Sequence, residues 1–269
     1  MMMRLLPLPL LLVLTTVNAQ AAMHWESVPH KVTMAHIRSA PQMFRLEDGT
    51  GASARLMQPD LAVHPLPLAG DGRVTIKPDG KEYFHVLIAE RDTPSGHESA
   101  IRYFHLFGRP TGVSPERVTD ARKTALEIVP DPLPREHWSY LSNHSFEFVL
   151  RFNGKPLADH PVTLTTSNGT ELTLKSDANG RVRLTFPDDF PEVHPGFMHN
   201  KPAGFTLRLA HVSQGKRYLT TLAGDYRTDP AHWQSFYGGV LVAGGGVLLG
   251  GFLGWRLRRR GASGKGRMK

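Results

Sequence analysis

The second half of the chain alternates large apolar and polar residues. In HSFEFVLRFNG (144–154), every second position from Phe146 to Phe152 is apolar, a period of two that is typical of a half-buried strand. Asn-Gly and Asp-rich segments separate further runs of this kind and indicate turns. Strands at this spacing favour an antiparallel β-sandwich. The additional strands are predicted at 162–164, 172–174, 182–186, 205–212 and 216–224, and the last two form a pair across a short turn.

The first half is less regular but is also rich in strand-like segments. Segments 82–90 and 99–108 combine β-branched and aromatic residues, and they could pair with each other. Helix start signals occur at 114–124, where Ser-Pro precedes Glu. A proline-punctuated stretch follows, so we place a domain boundary near Thr124. Segment 72–78 is also predicted to be a strand, and weaker strand candidates lie at 31–37 and 53–57.

Residues 1–21 are typical of a secretory signal peptide. Arg4 forms a short positive region, and the apolar stretch 5–14 is too short for a comfortable membrane span. Small residues make cleavage after Ala19 or after Ala21 plausible. The remainder then divides into a β-rich domain, 22–124, and an Ig-like β-sandwich domain, 125–228.

A second apolar segment, 234–257, predicts a transmembrane helix. About 20 apolar or small residues are enough to cross the hydrocarbon layer, and Trp233, Tyr237 and Trp255 lie near its edges, where aromatic rings favour the interface. The arginines that follow mark a basic cytoplasmic tail, 258–269. A buried core helix is the alternative, but the glycines and the abrupt arginine cluster fit it poorly. The expected fold class is therefore mainly β, with antiparallel Ig-like sandwich domains and one C-terminal transmembrane helix.

The charge distribution argues against nucleic acid as a partner. The net charge of +8 alone would suggest nucleic-acid binding. However, one basic residue precedes Gln20 and seven follow Trp255, so the other 24 basic residues equal the 24 acidic ones. The body is formally neutral, and the excess charge sits where it steers membrane insertion.

The residue types exclude several kinds of chemistry. The chain has no cysteine, which removes disulfides, thiolate metal sites and a lipid anchor on cysteine. It contains no G-x-S-x-G elbow, H-E-x-x-H pair or P-loop. We therefore expect a protein that is not an enzyme, and we predict no catalytic residue.

Three motifs carry a family resemblance. Residues 126–130 (LEIVP), 154–157 (GKPL) and 177–182 (DANGRV) resemble the bacterial periplasmic family of unknown function, Ig-like or carboxypeptidase-regulatory-like, that is associated with nickel and cobalt uptake. Many members begin with a histidine and an aromatic residue, the place that His24-Trp25 takes here. The resemblance implies an Ig-like second half, and a setting in metal uptake or homeostasis.

Histidine is the enriched reactive residue type, with 13 of the 14 histidines between His24 and His211. Imidazole suits nickel, zinc and copper, and the neighbouring methionines suit copper. If cleavage follows Ala21, the new amine, backbone amides and His24 could hold Cu(II) or Ni(II) in a square plane. Ordinary surface histidines are the alternative, and no cofactor is required by the sequence, although Ni, Co or Cu are candidates. The candidate metal ligands are His24, His30, His36, His194 and His199.

Asp177-Ala178-Asn179-Gly180 predicts a turn. Asn and Gly tolerate positive φ, and the Asp side chain accepts hydrogen bonds from nearby backbone N–H groups. A calcium loop is the alternative, but such loops need further carboxylates, including a terminal Glu that is missing here.

Gly246, Gly250 and Gly254 recur at intervals of four in the predicted membrane helix. Such a stripe lets a second helix approach closely in lipid, although glycine is also frequent in membrane spans for no such reason. The partner could be another membrane protein or a second copy of the chain.

These features predict a single-pass protein of the inner (cytoplasmic) membrane of a Gram-negative bacterium, with a periplasmic body and a cytoplasmic C-terminus. The expected function is that of a non-enzymatic binding or accessory module, which the resemblance links to transition-metal uptake or homeostasis. The alternative is a structural or interaction protein of the cell envelope. Such a protein would assemble with a membrane partner through its glycine-rich helix and bind no small ligand.

Overall fold

The computed structural model describes residues 22–29, 39–81, 83–110, 112–134 and 139–234, together with Gly250. The prediction of a mainly β protein is confirmed. In chain order the strands are β1 (His24–Ser27), β2 (Gln42–Glu47), β3 (Ser53–Met57), β4 (Val63–Leu66), β5 (Arg73–Ile76), β6 (Tyr83–Thr93), β7 (Gly96–Leu106), β8 (Leu126–Pro130), β9 (Tyr140–Leu141), β10 (Ser145–Phe152), β11 (Lys155–Pro156), β12 (Pro161–Thr166), β13 (Glu171–Lys175), β14 (Arg181–Thr185), β15 (Ala203–Ser213) and β16 (Lys216–Arg227). The helix α1 covers Glu116–Asp120, and 3-10 turns cover Phe197–His199 and Pro230–His232.

The predicted signal peptide, 1–21, and the cytoplasmic tail, 258–269, lie outside the described residues. So does the predicted transmembrane segment 234–257, apart from Gln234 and Gly250. Within the ranges that the structure describes, no helix combines the length and the apolar content that crossing a membrane requires.

One long sheet runs through both halves of the chain. In the described part of the molecule it has nine strands, in the order β13-β12-β15-β16-β7-β6-β3-β4, with β9 added beside β16. Most neighbours are antiparallel, but β7 and β16 pair in parallel, from Gly96 opposite Arg217 to Arg102 opposite Ala223. We call this parallel pair the seam, because it joins strands from the two sides of Thr124.

The central strands of the long sheet are covered on both faces. In β6, Leu87 and Ala89 pack into one hydrophobic cluster, whereas Val86 and Ile88 pack into another. Successive side chains of a strand point to opposite faces, so the two clusters lie on opposite sides of the sheet. Burial on both sides explains why segment 82–90 is nearly continuously apolar instead of alternating.

A three-stranded antiparallel sheet, in the order β1-β2-β5, covers one face of the seam. Its inward residues include Trp25 and Phe44, both buried, which share a cluster with Phe104 of β7. The Phe44 and Phe104 rings lie 4.8 Å apart, centroid to centroid. Strand β1 therefore lies against the middle of the long sheet, although it begins at His24, directly after the predicted signal peptide.

A four-stranded sheet covers the opposite face. Strand β10 pairs with β8 on one side, and with β11 and β14 on the other. The core between this sheet and the long sheet is aromatic, and Tyr140 is its centre. The Tyr140 ring lies 4.8 Å from Phe146, 5.1 Å from Phe186 and 5.1 Å from Phe205. The alternation in segment 144–154 thus corresponds to a strand whose apolar face packs into the core between the two sheets.

The connection between the two halves is buried. Thr124 is 3% exposed, and its hydroxyl donates to the carbonyl of Leu126 at 2.7 Å. Next to it, the Lys123 ammonium lies 3.5 Å from the Glu127 carboxylate, and both side chains are fully buried. Burial lowers the pKa of Lys123 to about 8, against the opposing charge of Glu127.

Local predictions agree with the structure at several turns and strands. The carboxylate of Asp177 accepts hydrogen bonds from the N–H groups of Asn179 and Arg181, each at 2.8 Å. Gly180 has a φ of +73°, so the predicted turn is confirmed. The predicted final pair is the hairpin β15–β16. The observed helix is shorter than the predicted segment 114–124, since α1 begins at Glu116 and ends at Asp120.

Gly96 gives a direct test of the seam. A Cβ at this position would lie 1.7 Å from the carbonyl oxygen of Arg217, so Gly96→Ala must push β7 and β16 apart. We expect the substitution to lower the free energy of unfolding by about 1–3 kcal/mol, the range seen for overpacking. Urea denaturation followed by circular dichroism measures the change.

Gly70→Ala is the matched control. No atom lies within 4 Å of the Cβ position of Gly70 among the described residues, and its φ is not positive. Its free energy of unfolding should stay constant or rise by about 0.4–1 kcal/mol. An equal effect of both substitutions would contradict the close approach at the seam.

Candidate functional site

Strand β1 crosses the seam and is bonded to both of its strands. The indole N–H of Trp25 donates to the carbonyl of Ala100 on β7 at 3.2 Å. The hydroxyl of Thr221 on β16 donates to the carbonyl of Met23 at 2.7 Å. The seam has its own buried side-chain bond, from Ser99 to Thr220 at 2.8 Å. These contacts bring the end of β1 beside the C-terminal end of the paired region.

Arg102 lies at that point and is 4% exposed. Its guanidinium donates to the Asp225 carboxylate of β16 and, at 2.7 Å, to the hydroxyl of Ser27 at the end of β1. The hydroxyl of Ser27 itself donates to the Asp225 carboxylate at 2.9 Å. Arg102 also lies 5.2 Å from the centroid of the Phe44 ring. Three chain segments therefore converge on one buried cation.

One donor of Arg102 remains unused. Its Nε–H is buried and has no hydrogen-bond partner among the residues that the structure describes. An unsatisfied buried donor carries a desolvation penalty of roughly 1–3 kcal/mol, and more when the group is charged. A buried group of this kind calls for an explanation, such as local strain or an ordered water or ion.

Arg102 lines two adjoining cavities of about 300 and 390 Å³. We call the two together the Arg102 cleft. Both cavities are also lined by Ser27, Pro202, Phe205, Gly224 and Asp225. The first adds Gln42, His105, Tyr140 and Arg227, and the second adds His24, Glu26, Thr165 and Ser167.

The first cavity carries a positive balance. Arg227 lies there with Arg102, facing the single carboxylate of Asp225. Burial lowers the pKa of Arg227 from its ordinary value, and the charge of Asp225 opposes that shift. Burial, and to a lesser degree the charge of His85, lowers the pKa of His105 to about 4, so His105 is neutral at pH 7. Among the lining residues that the structure describes, two guanidinium groups and one carboxylate leave one net positive charge.

A second polar network fixes the long loop before β15, which borders the cleft through Pro202. The carboxylate of Asp189 accepts hydrogen bonds from the hydroxyls of Thr166 at 2.8 Å, Thr170 at 2.7 Å and Tyr226, and from the amide of Asn168 at 3.3 Å. Burial raises the pKa of Asp189, but these hydrogen bonds outweigh it and hold that pKa below its usual range. The carboxylate is thus satisfied and serves to position the loop.

The histidines predicted as metal ligands fall into separate places. His24 lines the second cavity, where its Nδ1 lies 2.9 Å from the carbonyl of Ala22. His194 and His199 line a different cavity of about 560 Å³. The Nδ1 of His199 lies 2.6 Å from the carbonyl of Pro195.

No three His, Asp or Glu side chains come close enough to hold a metal ion in the described part of the chain. The sequence-based candidates therefore do not form one ligand set there. His30 and His36 lie outside the described residues, so the structure bears on neither of them.

The glycine stripe lies mostly outside the described residues as well. Gly246 and Gly254 belong to that part. Gly250 is helical and exposed, and no described atom lies within 4 Å of the position that a Cβ would take. The prediction that this face packs against another helix stays a prediction.

Sequence reasoning missed the Arg102 cleft, although one signal for it was present. Arg102 is the only charged residue between Ala100 and Phe107 in a strand that is otherwise apolar or aromatic. A charge in the middle of a buried strand requires a partner. That partner, Asp225, is 123 residues away in the sequence, and strand periodicity cannot identify it.

No protein-family model and no curated protein matches this chain. Among solved structures, it is similar to the D0-D1 domain of intimin, with 14% identity over 71% of this chain and 91% of that chain, at a TM-score of 0.25. It is also similar to a 1.5-MDa bacterial ice-binding adhesin (11% identity; 78% and 66% coverage; TM-score 0.24) and to a two-domain fibronectin type III segment of chicken tenascin (9% identity; 76% and 97% coverage; TM-score 0.22). Likenesses this weak carry no conclusion about function.

The ion pair between Arg102 and Asp225 supports a stability test. Asp225→Ala leaves the buried guanidinium without a carboxylate, and removing one partner of a buried pair typically costs about 3–5 kcal/mol. Because the side chain of Asp225 is 34% exposed, we expect a smaller loss, about 2–3 kcal/mol, from urea denaturation.

Asp92→Ala is the matched control. The Asp92 carboxylate also pairs with a cation, Lys216 at 3.5 Å, but its side chain is 78% exposed, and exposed pairs contribute about 0–1 kcal/mol. Equal losses for both variants would show that the Arg102–Asp225 pair is energetically an ordinary surface pair.

Proposed function

We propose that this protein is a non-enzymatic binding module whose Arg102 cleft takes the anionic group of a small ligand or of an extended peptide. The observation that carries the proposal is the buried Arg102 guanidinium, which lines a cavity whose described residues leave one net positive charge. A carboxylate or phosphate oxygen would accept hydrogen bonds from a guanidinium group there, and charge-assisted bonds of this kind are about twice as strong as neutral ones.

The size and lining of the cleft support this ligand class. Its two cavities, of about 300 and 390 Å³, lie at the small end of the range for ligand sites, which is about 300–1,000 Å³. The aromatic rings of Phe44 and Phe205 offer an apolar wall, while Ser27 and Gln42 offer polar groups. Such a lining suits a small ligand with an apolar part and one charged end.

We propose that the second half of the chain is an Ig-like sandwich. Two packed sheets with an aromatic core around Tyr140 support this assignment. The motif resemblance at 126–130, 154–157 and 177–182 also supports it. The same resemblance suggests transition-metal uptake or homeostasis as the biological setting.

The setting that we propose is the periplasmic face of the inner membrane. The signal-like residues 1–21, the apolar segment 234–257 and the basic tail support export of the body and a single membrane anchor. Asp225 precedes that segment by nine residues, which span at most about 30 Å when fully extended. A ligand in the cleft would then lie close to the membrane and to any partner there.

Ligand binding can be tested with defined anions. We expect acetate, succinate or inorganic phosphate, compared with chloride at equal ionic strength, to raise the Tm of the full-length protein in detergent. At 100 times its Kd, a ligand stabilises the folded state by about 2.7 kcal/mol. Arg102→Lys keeps the charge but removes the Nε–H donor, so the anion affinity should fall at least about tenfold.

Arg73→Lys is the control, because Arg73 lies on β5 and forms an exposed ion pair with Asp71 at 3.1 Å, away from the cleft. It should leave the anion-dependent shift unchanged. Each shift is measured against the variant's own Tm, which separates binding from stability. If no anion of the panel exceeds chloride, or if Arg102→Lys keeps the full shift, the proposed function is wrong.

The second candidate is a structural or interaction protein of the cell envelope that binds no small ligand. The glycines at 246, 250 and 254 favour it, because their spacing would let another membrane helix pack closely. This candidate needs a membrane partner or a second copy of the chain, and it needs no occupant in the Arg102 cleft.

Gly250→Leu tests that candidate. A leucine in the stripe would keep two helices apart, so a membrane protein that co-purifies with the wild type should be lost or reduced several-fold. Leu248→Ile, one of the neighbouring apolar positions outside the stripe, is the control and should leave the complex intact. If the wild type and Gly250→Leu recover equal amounts of the co-purifying protein, the glycine stripe does not mediate the contact.

A further inference from the structure

Two histidines meet at the end of β15 that lies away from His194 and His199. His160 immediately precedes β12, and His211 lies near the end of β15. The Nε2 atom of His160 is 3.0 Å from the Nδ1 atom of His211, and the ring centroids are 5.0 Å apart. Both side chains are half-buried. We call them the histidine pair.

The imidazole of His160 is held with a lone pair towards His211. Its Nδ1 atom lies 2.7 Å from the carbonyl oxygen of Ala158. A carbonyl only accepts hydrogen bonds, so Nδ1 carries the proton and Nε2 of the neutral ring has the free lone pair. Histidines that bind metals typically show this arrangement, with the second ring nitrogen donating to a backbone carbonyl.

The backbone of His160 is fixed as well. Its N–H donates to the hydroxyl of Ser176 at 3.0 Å, and its carbonyl accepts from the N–H of Ser176 at 3.0 Å. Ser176 is buried, and its hydroxyl donates to the carbonyl of Leu157 at 2.7 Å. The turn that the sequence predicts at 153–161 is thus held rigidly against the end of β13.

His211 is positioned by the long sheet. It stands opposite Tyr218 in the β15–β16 ladder, and its ring packs 4.6 Å from the Phe152 ring, centroid to centroid. Sites on strands with packed side chains keep their geometry more accurately than sites on free loops. Without a bound ion, the Nδ1–H of His211 donates to Nε2 of His160 at 3.0 Å, and this hydrogen bond keeps the two nitrogens facing each other.

The separation matches two ligands of one metal ion. With metal–nitrogen bonds of about 2.0–2.1 Å, two nitrogens 3.0 Å apart subtend an angle of roughly 90–95° at the ion, whereas tetrahedral ligands would lie about 3.4 Å apart. An angle near 90° is that of neighbouring ligands in a square-planar or tetragonal complex, which Cu(II) and Ni(II) prefer with nitrogen ligands.

We propose that His160 and His211 form a two-histidine site for a divalent copper or nickel ion, with solvent in its remaining positions. In the described residues no third His, Asp or Glu completes the set, which predicts moderate affinity and an exchangeable ion. The proposal is independent of the Arg102 cleft, which involves neither histidine.

Copper titration of the full-length chain, produced without a polyhistidine tag and purified in detergent, tests the site. All variants carry His24→Ala, because the predicted N-terminal site could also bind Cu(II). We expect one Cu(II) per chain to be lost in His160→Gln and in His211→Gln. The double variant should lose no more than either single variant, because both residues hold the same ion.

His64→Gln is the control, since His64 is an exposed strand histidine that contacts Gln58 at 3.3 Å. It should bind as many copper ions as the parent. If the pair variants match this control in number and affinity of bound ions, His160 and His211 only share a hydrogen bond and the proposal is overturned.

Electron paramagnetic resonance of the copper-loaded His24→Ala parent keeps the test decisive even if a glutamine variant fails to fold. Hyperfine splitting from two imidazole nitrogens supports the site. A spectrum with oxygen ligands alone, or with only one nitrogen ligand, at the first equivalent of Cu(II) contradicts it.

Discussion

The parallel pairing of β7 with β16 is the contact on which the rest of the structure depends. It joins residues more than 100 positions apart, and no hairpin can supply it, because parallel neighbours need a long crossover. Parallel strands are stable when both faces are covered. Here the three-stranded sheet covers one face and the four-stranded sheet covers the other, so both smaller sheets lie on the same pair of strands.

The Arg102 cleft is a consequence of that arrangement. Arg102 belongs to β7, Asp225 to β16 and Ser27 to β1, and none of them approaches the others without the seam. A buried ion pair of this kind adds little net stability, because desolvation offsets most of the attraction. The pair therefore does not by itself account for the stability of the fold.

Prediction from the sequence succeeded where the physics is local. The alternation from Phe146 to Phe152 predicted β10, and the Asp177 turn followed from side-chain chemistry and positive φ. The β15–β16 hairpin was predicted from two runs with a short turn between them. In each case the interacting residues are close in sequence, so periodicity and turn residues carry the information.

What could not be predicted depends on distant contacts. In the sequences of β7 and β16, the only signal of the seam is an apolar run, and such a run is compatible with pairing to several different strands. Arg102 was visible as an isolated charge, but Asp225 is an unremarkable acid near the end of β16. His160 stands in a segment read only as a turn, and its alignment with His211 arises from the pairing of β12 with β15. The metal ligands that the sequence suggests rest on residue type alone, and the fold places His24 at one cavity and His194 with His199 at another.

Native-state hydrogen exchange, followed by mass spectrometry at increasing urea concentrations, tests most directly whether the two halves form one structure across the seam. The account predicts that peptides from β7 and β16 converge on the same free energy of opening, because neither strand can be exposed without the other. Retention of protection in β7 at urea concentrations where β16 has already exchanged would contradict it.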